Sequence, residues 1–229
     1  MKRVIIPELL DTDSGSPEEV QASLADLHWL NRYFGGLPTT TWLLNRVAER
    51  TGVTGMSYLD VGGAAGDASV AVHRALAKRG IKIDMILLDR LPSHLLRNGS
   101  VSIPKLAAVS ADALHLPFAD GSFDVVGSSL FLHHLEPAEV LQFMGEALRV
   151  CRHAVIINDL RRSLLHWIAA IAGTLVYRSR LTRSDAVASV RRAYTSEEMR
   201  SMMKQTYAAG IELSEHYFYR IGVVAWKHA

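Results

Sequence analysis

The sequence predicts an α/β fold: a doubly wound, mostly parallel seven-stranded sheet that ends in an antiparallel C-terminal hairpin. Three observations predict it. From residue 56 onward, short apolar runs alternate with helical patterns of about 10–15 residues, the signature of strands joined by crossover helices. A glycine-rich turn, Leu59-Asp60-Val61-Gly62-Gly63-Ala64-Ala65-Gly66-Asp67, separates the first apolar run from its helix. The last two runs, 211–219 and 221–226, follow with almost nothing between them, so they form a hairpin and one runs antiparallel to the rest.

Each element has its own signal. Ser16-Pro17-Glu18-Glu19 opens a helix, with Ser as N-cap, Pro at the first helical position and Glu three residues after the Ser. It runs to about Phe34, where Gly35-Gly36 stops it. A second helix covers 40–50 and ends at Gly52. Strands follow at 56–61, 83–88 and 106–109, and a segment at 123–132 begins as a strand and then turns. Helices cover 66–79, stopped by Gly80, and 137–150, before a strand at 153–158. Thr195-Ser196-Glu197-Glu198 is another capping box and opens a helix to about Ala208. The expected division is an N-terminal helical cap, 1–53, and a core, 54–229, in which 160–194 is an insertion.

A chain of 229 residues fits one domain with a substrate-facing extension. At 49% hydrophobic it can bury a sizeable core. A net charge of +2 argues against a nucleic-acid-binding surface, and no nucleic-acid partner is expected. The single cysteine, Cys151, permits no internal disulfide and fits a cytoplasmic, reducing setting. The N-terminus has no long apolar run of the signal-peptide kind, because Glu8, Asp11 and Asp13 come early. The most apolar stretch, 164–177, is broken by His166 and falls short of the ~20 residues that cross a bilayer. Nothing in the chain indicates an oligomeric state.

The glycine turn lets backbone approach a ligand closely, since no Cβ intrudes. The helix that follows offers a partial positive charge at its N-terminus. Ligands of open α/β sheets sit beyond the C-terminal ends of the strands, where Gly62, Gly63 and Gly66 lie. The turn is not the NAD fingerprint. Counted from Gly62, the second and third glycine positions of G-x-G-x-x-G hold Ala64 and Asp67.

Residues 59–67 instead resemble motif I of the class I S-adenosylmethionine (SAM)-dependent methyltransferases, departing once, at Ala64. Three further segments match in order. Ile86-Leu87-Leu88-Asp89 resembles the second strand with its terminal acid. Residues 110–118 resemble the adenine-binding segment, and 123–135 the fourth strand with its loop. The likeness covers 54–159 plus the hairpin and is greatest to the ubiquinone/menaquinone-biosynthesis-like branch. It implies the class I methyltransferase fold and SAM as cofactor. It places Gly62, Gly63, Ala64 and Gly66 around the methionine part of SAM, with Asp60 holding the amino-acid end. It gives Asp89 the two ribose hydroxyls, with Arg90 beside it, since one carboxylate accepts two hydrogen bonds. Asp112 and Ala113 then lie near the adenine amine, and Ser129 borders the cofactor.

Methyl transfer is an in-line displacement at a sulfonium that is already activated. The protein mainly positions and desolvates, which supplies roughly 7–11 kcal/mol of the barrier. A base is needed only where the acceptor loses a proton. His133 and His134 lie in the loop that faces the methyl group in this family, and His134 is the favoured base. The bland alternative is that both only shape the loop. No metal is expected. Asn158-Asp159 ends the fifth strand, but the fourth ends in Ser128 and Ser129, too few oxygen ligands for a hard cation. Asp159 is read as orienting substrate or pairing with Arg161 or Arg162.

The 160–194 insertion reads as a substrate lid. Its first half is apolar, with Leu164, Leu165, Trp167, Ile168 and Ile171, and its second half carries Arg178, Arg180, Arg183, Arg191 and Arg192. Tyr33, Phe34, Asp159 and Arg162 are the candidate substrate contacts. The expected acceptor is a hydrophobic small molecule, phenolic, quinone-like or polyketide-like, methylated at oxygen or carbon. The arginines suit an anionic group on it or peripheral contact with a membrane surface. The alternative for the insertion is an ordinary helix on the sheet with a solvated basic face. His73, His94 and His153 show no ligand spacing and read as structural, and Cys151 as inert. Two other functions compete. Protein or RNA methylation is disfavoured, because no Asn/Asp-Pro-Pro-Tyr/Phe loop stands at Ser128-Ser129-Leu130-Phe131. A SAM-binding protein without catalysis predicts binding with no turnover.

Overall fold

Ser16 caps the first helix as its sequence dictates. In the computed structural model its hydroxyl accepts the Glu19 N–H while Glu19 bonds back to the Ser16 N–H, and α1 runs Pro17–Tyr33. The structure describes residues 1–10, 15–95 and 106–228, apart from the side chains of 93 and 94. Asp11, Asp13 and the side chain of His94 therefore lie outside the described residues.

The second helix, α2 (Gly36–Thr51), starts four residues before the expected 40. Gly35 turns the chain at φ +81°, and a Cβ there would stand 2.0 Å from the Tyr217 carbonyl. Pro38 then sits in the first turn, where its missing N–H costs nothing. Leu43, Leu44 and Val47 of α2 pack beneath the sheet against Tyr58, Ile156 and Trp226. Of the expected 1–53 cap, α2 is thus a layer of the core, and α1 is the helix that reaches over the strand ends.

The strands are β1 (Gly55–Val61), β2 (Lys82–Asp89), β3 (Ala107–Ser110), β4 (Phe123–Ser129), β5 (Cys151–Leu160), β6 (Gly210–His216) and β7 (Arg220–Trp226). They form one sheet in the order β3-β2-β1-β4-β5-β7-β6. All pairs are parallel except β7, which runs antiparallel to both β5 and β6. Side chains alternate between faces as the pleat requires. Met56 and Tyr58 join the core under α2 and α3 (Asp67–Ala77), while Leu59 and Val61 join the other core. That second core holds Phe143 and Met144 of α5 (Pro137–Val150) and Met199 and Met203 of α8 (Ser196–Met203). A single turn, α4 (Pro92–Leu95), follows β2. The helix expected to reach Ala208 stops at Met203, and β5 is longer than expected because β7 pairs with it as far as Leu160.

The insertion forms α6 (Leu164–Gly173) and α7 (Arg180–Arg192). It lies over the strand ends rather than as a layer on the sheet. The two helices pack on each other, and α7 packs on α1 and on the one-turn helix at Leu132–His134. The apolar half of the insertion faces outward: Leu164, Leu165, Ile168 and Leu175 are all more than half exposed. No described helix is long and apolar enough to cross a membrane.

Candidate active site

The C-terminal ends of β1, β2 and β4 open into one cavity of about 710 Å³, roofed by α1, α6 and α7. That volume is in the usual range for small-molecule sites, ~300–1,000 Å³. Its floor contains Asp60, Gly62, Gly63, Ala64, Gly66, Asp89, Arg90, Asp112, Ala113 and Ser129, the whole set chosen as cofactor contacts. Gly62 takes φ +73°, and a Cβ there would meet the Phe131 ring at 3.1 Å. Ala64 also takes a left-handed φ, +43°, and its N–H donates to Asp89 Oδ2 at 3.1 Å. Asp89 Oδ1 accepts the Leu91 N–H at 3.0 Å. A carboxylate can accept from two hydroxyls, so its place at the end of β2 suits the ribose of SAM. Asp112 is more open: its side chain is 56% exposed, and it accepts the Leu114 N–H.

Asp60 is buried beneath the glycine turn, and burial pushes its pKa up to about 6. Hydrogen bonds from Ser69 and from Tyr58 (3.4 Å) oppose that shift without cancelling it. A buried carboxylate of this kind suits the ammonium of SAM, whose charge replaces the lost water.

The roof carries the second part of the site. His133 is 2% exposed. Its Nδ1 lies 2.6 Å from Asp159 Oδ1, and its backbone N–H donates to Asp159 Oδ2 at 3.1 Å. Because a carboxylate only accepts, the Nδ1 that faces Asp159 carries a proton. Burial opposes the charge of Asp159, but the His133 charge and hydrogen bond hold its carboxyl below the usual range. His134 stacks beside His133 with ring centroids 4.2 Å apart and is less buried, at 21%. Both face Glu8, at 3.6 Å from His133 Nε2 and 3.9 Å from His134 Nε2.

Glu8 arrives on an N-terminal strap that gives no sequence signal, having neither helical nor strand period. Asp185 of α7 accepts the N–H groups of Leu9 and Leu10. Arg192 donates to the carbonyls of Ile6 and His134, so one side chain ties the strap to the histidine loop. Arg3 does the same from the strap side, reaching Glu136 and the carbonyls of His133 and Leu135.

Three candidate substrate residues are not part of the cavity wall. Asp159 orients His133 and pairs with neither arginine. Arg161 pairs with Glu215, and Arg162 with Glu198 at 2.6 Å and the Ala193 carbonyl, bracing the lid base. Tyr33 points outward, while Phe34 lines the cavity with its ring 4.8 Å from that of Phe218. Asn158 pins α2 by donating to the Gly36 carbonyl and to Thr40 Oγ1, both at 2.8 Å.

Arg220 was not signalled by sequence. It is 3% exposed, lines the cavity, and bonds to the Phe34 carbonyl and Asn31, while its Nη1 has no hydrogen-bond partner among the described residues. Burial brings its pKa down to about 10, still protonated at neutral pH. His166 nearby is pushed down to about 4 by burial and is neutral. Among the described residues, the non-glycine residues with positive φ are Ala64, Leu130, Phe218 and Tyr219. Three line this cavity, and Tyr219 stacks on its His166. Backbone strain of ~1–3 kcal/mol per residue is thus concentrated at the site.

Comparison with known proteins agrees with this fold. Residues 59–157 match the family described as Methyltransferase domain. A demethylmenaquinone methyltransferase from Beutenbergia cavernae is 40% identical over 70 residues, covering 31% of this chain and 28% of that relative's length. The plantazolicin methyltransferase BpumL, solved with S-adenosylhomocysteine (SAH), superposes with TM-score 0.70 at 13% identity, covering 97% and 95% of the two chains. Human N-acetylserotonin methyltransferase, solved with SAM, gives TM-score 0.67 at 11% identity, covering 94% and 57%. At such identities the structural likenesses speak for the fold alone. The family match over residues 59–157, the glycine turn within it and the strand order with its reversed β7 agree: this part of the chain is similar to a methyltransferase domain, and the sheet has the fold of the solved methyltransferases it superposes on.

Proposed function

We propose that this protein transfers a methyl group from SAM to an oxygen or carbon of a hydrophobic small molecule, phenolic, quinone-like or polyketide-like. The observation that carries this reading is the continuity of the cavity. Its motif-bearing floor runs into an upper part walled by Leu24, Leu27, Phe34, Ala170, Val190 and Phe218. Trp29 and Val176 line that space and are also exposed, so its mouth opens beside the outward apolar face of α6. That face supports peripheral contact with a membrane surface from which a lipid-tailed acceptor enters.

Bound SAM supplies the electrophilic methyl group. Asp89 and Asp112 hold its nucleoside, and Asp60 its ammonium. The upper cavity excludes water and holds the acceptor, with Arg220 Nη1 facing an anionic or carbonyl oxygen. His134, the more open of the two histidines, takes the acceptor proton, while His133 is fixed behind it by Asp159.

Methyl-labelled SAM incubated with acceptors, free or in phospholipid vesicles, tests the reading. Label should pass to lipophilic phenols or quinols, anionic acceptors outpacing their neutral esters until Arg220→Met removes the preference. SAM binding with no labelled product across such a panel would leave only the non-catalytic reading. For the base, His134→Ala should lower kcat by about 10²–10⁴ with SAM affinity within twofold. Full activity in that variant would return His134 to a loop-shaping role.

A further inference from the structure

The Glu8–His133–His134 cluster has a composition that proton transfer alone does not require. We infer that these three side chains form a binding site for one divalent ion of borderline softness, zinc being the best match. The ligand atoms are a Glu8 carboxylate oxygen, His133 Nε2 and His134 Nε2, and they all lie within 4.8 Å of one another. Zinc bonds of ~2.0–2.2 Å bring neighbouring ligand atoms to about 3.3 Å in a tetrahedron. Glu8 Oε1 lies 3.6 Å from His133 Nε2 and Glu8 Oε2 3.9 Å from His134 Nε2, so a turn of the Glu8 carboxylate would present one oxygen to both rings.

Two features beyond proximity support an ion here. Asp159 accepts the His133 Nδ1–H at 2.6 Å, which fixes the tautomer with Nε2 free to ligate. Carboxylate–histidine–metal relays of this form orient most protein zinc ligands. Burial is the second feature. Glu8 and His133 are 7% and 2% exposed, so water screens the Glu8 carboxylate little, and an ion held by it and the two rings would neutralise that buried charge. Two imidazoles and one carboxylate select zinc or a neighbouring transition ion over magnesium or calcium, which take oxygen ligands. Three protein ligands leave a position open, as in catalytic rather than structural zinc sites. All three residues line the cavity, so that position faces its interior.

The strap explains why the third ligand comes from so far along the chain. Asp185, Arg192 and Arg3 hold residues 1–10 against α7 and the histidine loop, and this carries Glu8 over the two rings. The ion binding itself does not depend on the acceptor proposed above. An ion on His134 Nε2 would remove that nitrogen as a base, and would instead lower the pKa of an acceptor oxygen bound to it, so that its proton passes to solvent water. Metal-free and metal-loaded protein are therefore distinguishable.

The test is a direct titration of tag-free, chelator-treated protein with Zn²⁺, and with Co²⁺ as a spectroscopic probe. One ion per chain is expected, with visible Co²⁺ bands of a low-coordinate site. Glu8→Gln and His134→Ala should each abolish stoichiometric binding, with circular dichroism and melting unchanged to show that both fold. Asp159→Asn should weaken binding by roughly 10–100-fold through the His133 tautomer. No zinc uptake, or equal uptake by wild type and both ligand variants, would overturn the inference and leave the cluster as an ion-paired brace. Methyl transfer by such zinc-free protein would still stand as support for the base reading.

Discussion

Asp89→Ala should weaken SAM binding by about a hundredfold or more, read by calorimetry with SAM or SAH. Hydrogen bonds to a charged group contribute about 1.5–3 kcal/mol each. Two ribose hydroxyls on one carboxylate therefore amount to ~3 kcal/mol or more, and each 1.4 kcal/mol is tenfold in Kd. Asp89 does a second job that deepens the loss. It holds the N–H of Ala64, a non-glycine residue at φ +43° in the middle of the cofactor turn. Without that acceptor the strained turn loses its brace as well as its ligand contact. The same substitution at Asp112 should cost far less, because that carboxylate is 56% exposed and water competes for its hydrogen bonds. An unchanged affinity in Asp89→Ala would remove the ribose from the end of β2.

Asp60→Asn should make the cofactor-free protein more stable at pH 8 while weakening SAM binding. An unfolded aspartate titrates near 4, whereas Asp60 in the folded chain titrates near 6 because it is buried. The folded state therefore holds its proton more tightly than the unfolded one. The stability that this protonation contributes is full below about pH 4 and is lost as pH rises through 6. The difference between 3.8 and about 6 corresponds to at most ~3 kcal/mol at pH 8. Asparagine carries no charge to desolvate, so the variant should gain up to that amount at pH 8 and nothing at pH 4. Melting curves across this range check the sign. SAM affinity should fall, since the ammonium loses its buried counter-charge. A variant that melts lower than wild type at pH 8 would show that the Ser69 and Tyr58 hydrogen bonds outweigh the burial cost. The buried Asp60 charge costs stability that a bound cation would relieve.

Much of this molecule was legible in the chain. Capping boxes at Ser16 and Thr195 and the short apolar runs of the strands are local signals, set by neighbours a few residues apart. The glycine turn and the acids at the ends of β1 and β2 were legible for the same reason, since a strand end followed by a turn is one continuous segment. Local reading failed where a distant backbone made the decision. Gly35 starts α2 early because the Tyr217 carbonyl leaves no room for a Cβ, a contact across the whole fold. Ala64 stands where the family has glycine, and only its bond to Asp89 explains how the turn tolerates it.

The roof of the site was decided by tertiary structure. Asp159 is an acid at a strand end, as expected, but its partner is set by where the loop after β4 brings His133. Arg162 is drawn to Glu198 and the Ala193 carbonyl before it can reach a substrate. Glu8 and Arg220 carry no pattern of their own; one enters on a strap, the other at the start of β7, beyond the strained Phe218-Tyr219 turn. By itself the sequence determined the fold, the cofactor and the floor of the cavity, because each rests on hydrogen bonds and packing within short segments. Only the tertiary structure decided which charges meet above that floor, because those charges come from the two ends of the chain and its middle. Their pairing depends on burial, which no local pattern records.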